Sequence, residues 1–245
     1  MADDFDVKTA IQNGDDAALR KCLALDRSRA NALIYWGNNN CVLTHPLHYI
    51  SDMLFNGVLQ KGKELALIDV LLEAGASIDF RKEGKRETPL IGAASLGAED
   101  VGLRLLDAGA KPELRGEWGE TALHWAALLG EQRLASSLIA GADLSLKDEK
   151  YNSSPLGWAV HGWFNPPAGN QGRQREVAAL LVAAGAWVEA EWLESNEVRA
   201  DPSMLTYYAA RCFSRTSPAQ PEPPFRRELV NVAKPGNHSF RNHAL

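Results

Sequence analysis

The chain has 245 residues, of which 45% are hydrophobic and 23% charged, an ordinary composition for a soluble globular protein. It lacks the run of about 18 apolar residues that a transmembrane helix needs, and its start, with Asp3, Asp4 and Asp6, argues against a secretory signal. The three cysteines lie far apart and form no CxxC pair, which argues against a disulfide framework or a cysteine metal site. A net charge of −5 argues against nucleic acid as the main partner, and we expect a cytoplasmic protein.

The first 44 residues precede the earliest copy of a repeated phrase. Residues 7–25 look like a first helical unit without that phrase, as a terminal cap with a polar outer face would. Residues 33–44 read as two short β-prone strands around Gly37 and three asparagines, which predicts a β-hairpin that projects as a finger. Tyr35 and Trp36 would lie on opposite faces of the first strand, so we expect at least one of them to be exposed.

From residue 45 onward, one short phrase occurs four times. The copies are HPLHYIS from His45, TPLIGAA from Thr88, TALHWAA from Thr121 and SPLGWAV from Ser154. A second helical stretch and a Gly-Ala pair, beginning at residues 75, 109, 141 and 185, follow each copy. The steps from 89 to 122 and from 122 to 155 are both 33 residues. A fixed period of this length predicts a repeat array, in which each unit buries its apolar face against its neighbours.

Each unit is predicted to be a helix, a turn, a second helix and a loop. Thr88, Thr121 and Ser154 stand where a hydroxyl can cap the first helix, and a proline often follows at the first helical position. Gly97 and Gly130 suit the left-handed backbone that ends such a helix. Helices this short do not persist alone in water, so the array must fold cooperatively.

The phrase, its period and the Gly-Ala pairs resemble the ankyrin repeat family over roughly residues 7–190. The resemblance implies an all-α, ankyrin-type helix–turn–helix–loop solenoid with capping units at both ends and a possible β-hairpin finger at 33–44. We expect an ankyrin repeat domain at 1–213 and, because of its Pro, Ser and Gln content, a disordered tail at 214–245. Within the domain the expected parts are an N-terminal cap (1–30), repeat 1 with an insert (31–80), repeat 2 (81–114), repeat 3 (115–147), repeat 4 with an insert (148–190) and a C-terminal cap (191–213).

Two repeats are longer than the period. About ten extra residues lie in repeat 1, mostly between Met53 and Lys63, and repeat 4 has a similar insert between Gly162 and Arg173. Surface turns tolerate such insertions at little entropic cost, whereas irregular loops often carry recognition. We favour recognition for the second insert, because Trp163 and Phe164 suit a purely solvated loop poorly.

Aromatic residues provide the candidate binding site. One column of the first helices contains Tyr49, Gly92, Trp125 and Trp158, at or near the concave face that the resemblance implies. Packing between adjacent helices is the more probable role of these rings, and partner contact is the alternative. For the loop-tip residues Trp118 and Tyr151 we favour partner contact. The full predicted partner-binding set is Tyr35, Trp36, Trp118, Trp125, Tyr151, Trp158, His161 and Trp163.

The sequence shows no convincing catalytic, cofactor or metal site. The resemblance gives His48 and His124 a structural role in linking loops, and His45 with His48 lacks a nearby third metal ligand. We therefore expect a non-catalytic module that binds another protein through its concave face and loop tips, with no cofactor, small-molecule substrate, nucleic acid or membrane. The alternative is a dedicated inhibitor or immunity protein that neutralises a toxin or enzyme. An enzyme or effector with its activity after Glu191 is the third reading, which the small size of that segment disfavours.

Overall fold

A computed structural model of the chain describes residues 6–167 and 173–188, together with Trp192 and Arg199. The chain divides into two compact units, Met1–Glu117 and Trp118–Leu245. In the first unit the helices are α1 (Val7–Asn13), α2 (Asp16–Leu25), α3 (Pro46–Phe55), α4 (Glu64–Glu73), α5 (Pro89–Ser95) and α6 (Glu99–Asp107), and the strands are β1 (Ile34–Trp36) and β2 (Val42–Thr44). In the second unit the helices are α7 (Ala122–Leu129), α8 (Gln132–Ile139), α9 (Pro155–Phe164) and α10 (Gln174–Ala183).

The helices pair and stack as the repeat pattern predicts. In the first unit, α3 packs between α1 and α5, while α4 packs between α2 and α6. In the second unit, α7 packs on α9 and α8 packs on α10. Leu105 and Leu138, predicted to lie on buried faces of the second helices, are 0% and 2% exposed. The predicted all-α helix–turn–helix–loop fold is therefore confirmed, including a helix pair, α1 and α2, at its start.

The predicted helix caps form, although their chemistry is not the same in all four copies. The hydroxyl oxygens of Thr88 and Ser154 accept hydrogen bonds from the backbone N–H groups three residues later, each at 3.3 Å. At Thr121 the bond runs the other way, because His124 Nδ1 accepts the Thr121 backbone N–H at 3.1 Å. At the first copy His45 is itself the cap, and its Nδ1 accepts the backbone N–H of Leu47 at 3.3 Å. Three different side-chain arrangements thus begin these four equivalent helices.

His45 also joins two loops of the first unit. Because its Nδ1 accepts a hydrogen bond, its Nε2 is the protonated nitrogen and donates to Asn31 Oδ1 at 3.1 Å. Asn31 Oδ1 in turn accepts the Ser77 N–H at 2.7 Å, and Asn31 Nδ2 donates to the Gly75 carbonyl at 2.9 Å. The imidazole is buried, and this burial lowers the pKa of His45 to about 4. The fold therefore requires a neutral ring at this position.

The predicted hairpin is present, with a tight tip. Strands β1 and β2 pair antiparallel, and Tyr35 lies opposite Leu43 in the register. Asn39 and Asn40 close the tip with φ of 58° and 54°, in the left-handed region that asparagine tolerates better than most residues. Trp36 is largely sheltered and its ring meets the Tyr49 ring edge-on at 5.7 Å, whereas Tyr35 is 60% exposed. The expectation that one of the two aromatic residues is exposed is thus confirmed.

The two inserts differ in their structure. In repeat 1, α3 ends at Phe55 and the added residues form the turn to α4, with Leu59 buried. This insert lies where the sequence placed it. In repeat 4, helix α9 continues through Phe164, so Trp163 and Phe164 occupy its last turn. The expectation that these two residues begin an irregular loop is wrong, because the helix ends only at Asn165, before the first proline. Residues 168–172 of the insert, the C-terminal cap and the tail lie outside the described residues, apart from Trp192 and Arg199.

We expect Leu105→Ala and Leu138→Ala to lower the free energy of unfolding by about 2–5 kcal/mol each, because each substitution leaves a cavity between packed helices. Leu65→Ala is the control, since Leu65 is 40% exposed on α4 and its truncation should cost less than about 1 kcal/mol. Urea melts of the three variants measure these losses. Losses below about 1 kcal/mol for both buried leucines would contradict the assignment of the buried faces.

Acid should destabilise the first unit through His45. Its folded pKa of about 4 lies below the ordinary 6.5, so the unfolded chain binds the extra proton first as the pH falls. The stabilising contribution is complete above pH 6.5 and is lost towards pH 4, reaching about 3 kcal/mol in total. We expect His45→Asn, which retains a capping side chain, to show a smaller loss between about pH 7.5 and pH 5 in urea melts. An identical pH dependence in both proteins would contradict this role.

Candidate functional site

Four aromatic rings of the second unit form a closed group, which we call the aromatic cluster: Trp118, Trp125, Tyr151 and Trp158. Ring centroids lie 5.9 Å apart for Trp118 and Trp125, and 5.0 Å apart for Trp125 and Trp158. Tyr151 completes the group at 6.0 Å from both Trp158 and Trp118. Three of the four contacts are edge-on, at interplanar angles of 71–82°, the arrangement that the ring quadrupoles favour. Each ring is therefore held by two others.

Two buried carboxylates hold the indole groups of the cluster. Glu120 Oε1 accepts the Trp125 indole N–H at 3.2 Å, and Glu120 Oε2 accepts the Trp118 backbone N–H at 2.8 Å. Without Glu120, the buried Trp125 indole N–H would lie near apolar rings and lose this acceptor. The Glu149 backbone N–H also donates to the Trp118 carbonyl at 2.6 Å. The backbone of Trp118 is thus fixed on both its N–H and its carbonyl side.

Asp148 organises the following loop in the same manner. Its Oδ1 accepts the backbone N–H groups of Lys150 at 2.9 Å and of Tyr151 at 2.5 Å. Its Oδ2 accepts the Ser153 backbone N–H and the Trp158 indole N–H, both at 3.0 Å. Four donors therefore converge on one buried carboxylate, and bonds to a charged acceptor are among the stronger hydrogen bonds in proteins. Asp148 fixes both the loop and the deepest ring of the cluster.

The members of the aromatic cluster differ in exposure. Trp125 and Trp158 are buried, as the packing alternative for their column requires. Tyr151 is only 6% exposed, so the expectation that it lies open at a loop tip is wrong, because Asp148 turns the loop inward and places the ring against Trp158. Trp118 is partly exposed. The Lys150 ammonium lies 4.2 Å from the centre of its ring, within the range of a cation–π contact.

The other predicted binding residues form two separate sets. In the first unit, Tyr35 is exposed on the hairpin, and the Lys8 ammonium donates to its carbonyl oxygen at 2.8 Å. In the second unit, Trp163 is partly exposed and its ring stacks on Phe164 at 4.5 Å. His161, on the same helix, is partly buried, and that burial lowers its pKa. The structure brings Trp118, Trp125, Tyr151 and Trp158 together, and partner contact by any predicted residue stays a prediction.

Sequence reasoning missed the two carboxylates that build the cluster. Glu120 lies five residues before Trp125, and Asp148 lies ten residues before Trp158. A usable signal was available, since a tryptophan predicted to be buried needs an acceptor for its indole N–H. The two carboxylates stand at different distances before their tryptophans, and this difference hides their shared role. The longer distance at Asp148 includes a loop in which Asn152 has a left-handed φ of 51°. The cation at Lys150 carries no sequence signal, because its contact depends on the path of the loop.

Histidines predicted to be structural take part in the fold. His124 caps α7 and meets the Trp158 ring edge-on at 5.5 Å, while the His45 and His48 rings are 6.3 Å apart. Within residues 6–167 and 173–188, and at Trp192 and Arg199, no group of three or more His, Cys, Asp or Glu residues is arranged to hold a metal ion. Over the same part of the chain, no helix has both the length and the apolar character that crossing a bilayer demands.

Part of the chain is similar to known proteins. A family model described as ankyrin repeats (3 copies) matches residues 54–148. The chain is also similar to the 2-5A-dependent ribonuclease of Homo sapiens, with 36% identity over 74 residues. That alignment covers 30% of this chain and 10% of the length of the human protein. The match to the family model extends from the end of α3 to Asp148, and it includes α4 to α8.

Removing the charge of Asp148 should disrupt the loop and the cluster together. We expect Asp148→Asn to lower the free energy of unfolding by about 2–5 kcal/mol, because an amide presents one acceptor oxygen to four donors. The matched control is Asp143→Asn in the same connection, where an exposed carboxylate accepts from the backbone and hydroxyl of Ser145. Thermal and urea melts compare the two variants. Equal and small losses would contradict the proposed importance of Asp148.

Proposed function

We propose that this chain, whose residues 54–148 match ankyrin repeats, is a non-catalytic module that binds another protein through its concave face and loop tips. Ankyrin repeats generally mediate protein–protein interaction, which supports the general part of this proposal. The activity named for the human ribonuclease belongs to that protein, of which the alignment covers 10%.

Trp118 carries the proposal. A partly exposed tryptophan offers a large contact area to a partner, and tryptophans are enriched among the residues that dominate binding energy. Trp118 is supported by Trp125 and Tyr151, and its backbone is fixed because its N–H donates to the Glu120 carboxylate and its carbonyl accepts the Glu149 N–H. A side chain that is already ordered loses less conformational entropy on binding. The buried members of the cluster thus act through Trp118, as its support.

Two further aromatic sites fit the same function. Tyr35 is exposed on a two-stranded finger, and Trp36, the next residue of that finger, packs against Tyr49. The stacked pair of Trp163 and Phe164 is partly exposed at the end of α9. In each set an accessible aromatic residue adjoins a second one, Trp36 after Tyr35 in β1 and Phe164 against Trp163 in α9. We assign partner contact to Tyr35, Trp118 and Trp163, and support to Trp36, Trp125, Tyr151 and Trp158.

The test is capture of a partner from the native cell, followed by reconstitution of the complex with the purified partner. We expect Trp118→Ala to weaken the affinity by about tenfold or more, while costing only about 1–2 kcal/mol of stability, because it removes a contact surface and little packing. Trp125→Ala should instead cost about 3–5 kcal/mol of stability, since that ring is buried.

Phe55→Ala controls for the loss of any exposed aromatic side chain. Phe55 is 47% exposed in the first unit, and its removal should leave the affinity unchanged. Calorimetry or surface plasmon resonance measures the affinities, and melts measure the stabilities. Unchanged binding by Trp118→Ala would contradict the assignment. A single tight partner whose activity is blocked in the complex would identify an inhibitor, and several partners without such a block would identify an adaptor.

A further inference from the structure

The loop from α4 to α5 carries a concentration of positive charge on an acidic chain. Residues 81–86, which we call the basic loop, contain Arg81, Lys82, Lys85 and Arg86 against Glu83, a net charge of +3 where the whole chain has −5. At physiological salt, exposed charges act over about 8 Å. A partner in contact with the basic loop therefore meets a positive surface, whatever the sign of the total charge.

The loop is held in a defined shape. The Lys85 N–H donates to the Lys82 carbonyl at 2.9 Å, and Gly84 within this turn has a φ of 71°. A positive φ at the third position of a turn favours glycine. After the turn, the Arg86 N–H donates to Glu117 Oε1 at 2.7 Å. The backbone is thus bonded within the turn and at its end.

The start of the loop is fixed as well, and it adjoins the hairpin. Phe80, just before Arg81, stacks on the His45 ring with centroids 4.3 Å apart. His45 directly follows Thr44, the last residue of β2. The start of the basic loop therefore lies next to the end of the hairpin in the first unit. On the hairpin, Tyr35 shares one face with Leu43, its partner in the register.

Two of the four cations are available for binding. Arg81 and Lys82 are exposed, and neither forms an ion pair with any residue that the structure describes. Lys85 and Arg86 are partly buried and add to the local positive charge. An exposed tyrosine on the hairpin and unpaired cations on the adjoining loop suit recognition of carboxylates by charge and of a neighbouring apolar side chain by the ring.

We propose that the basic loop and Tyr35 form a docking site for an acidic segment of a partner protein. This inference rests on the proposed function and names the chemistry of one contact. A protein segment fits better than a nucleic acid, because the chain is acidic overall and Glu83 interrupts the cations. Glu117 also lies beside the loop, where it would repel a continuous phosphate backbone.

Fluorescence anisotropy with a labelled synthetic peptide tests the proposal on the full chain. The probe is a peptide of about ten residues, rich in Asp and Glu with one central Leu, which extends over about 30 Å. A second peptide has Asn and Gln in place of the acids. A single-stranded oligonucleotide of equal charge is the third probe. We expect the acidic peptide to bind more tightly than both other probes, with an affinity that falls as salt rises.

Paired variants locate the site. We expect Arg81→Gln with Lys82→Gln to weaken binding of the acidic peptide by at least about fivefold, and Tyr35→Ala by at least about twofold. The matched control is Lys61→Gln with Lys63→Gln, which removes the same charge from exposed residues in the turn between α3 and α4 and should change the affinity by less than about twofold. Circular dichroism melts establish that all three variants fold.

Three results would overturn the proposal. They are absence of peptide binding, tighter binding of the oligonucleotide than of the acidic peptide, or equal weakening of peptide binding by the double variant at Arg81 and Lys82 and the control double variant at Lys61 and Lys63. Trp118→Ala separates this site from the proposed function. Because Trp118 lies outside the first unit, its substitution should leave peptide binding intact while it weakens the natural partner. If Trp118→Ala changes neither the affinity for the peptide nor the affinity for the natural partner, the assignment of Trp118 is overturned. The basic loop then remains supported.

Discussion

The fold depends on side-by-side packing of helices that are too short to exist alone. Each helix in the described part of the chain has 7–10 residues, below the length at which an isolated helix is stable in water. Within each unit, first helices pack on first helices and second helices on second helices, and this burial replaces the missing helical stability. Everything at the surface, including the hairpin and the loops, takes its position from these stacks.

Polar side chains set the geometry of the loops between the helices. Asp148 binds four donors, Glu120 binds two, and His45 connects a helix cap to Asn31. Each of these groups is buried, so each would be costly without its partners. The same bonds place the side chains of interest, since Asp148 and Glu120 hold the rings that support Trp118. Loop order and the candidate binding surface therefore share one physical origin.

The two candidate surfaces use different chemistry for recognition. Trp118 offers a rigid aromatic ring with a cation over its face, and its contribution to binding would depend little on salt. The basic loop offers charge with Tyr35 beside it, and its contribution would fall as salt rises. Electrostatic attraction would favour the approach of a partner to the basic loop, and aromatic contact would retain a partner at Trp118. A local positive surface would thus allow a chain with a net charge of −5 to recognise an acidic segment.

The sequence by itself determined the repeat period, the helix starts at Thr88 and Ser154, the burial of Leu105 and the hairpin, because these follow from local spacing and backbone preference. Only the tertiary structure decided the exposure of each aromatic residue. Tyr151 is buried because its ring packs against Trp118 and Trp158, and Trp36 is sheltered because its ring packs against Tyr49 of α3. Such outcomes depend on contacts between residues of different elements, and no local pattern in the chain encodes them.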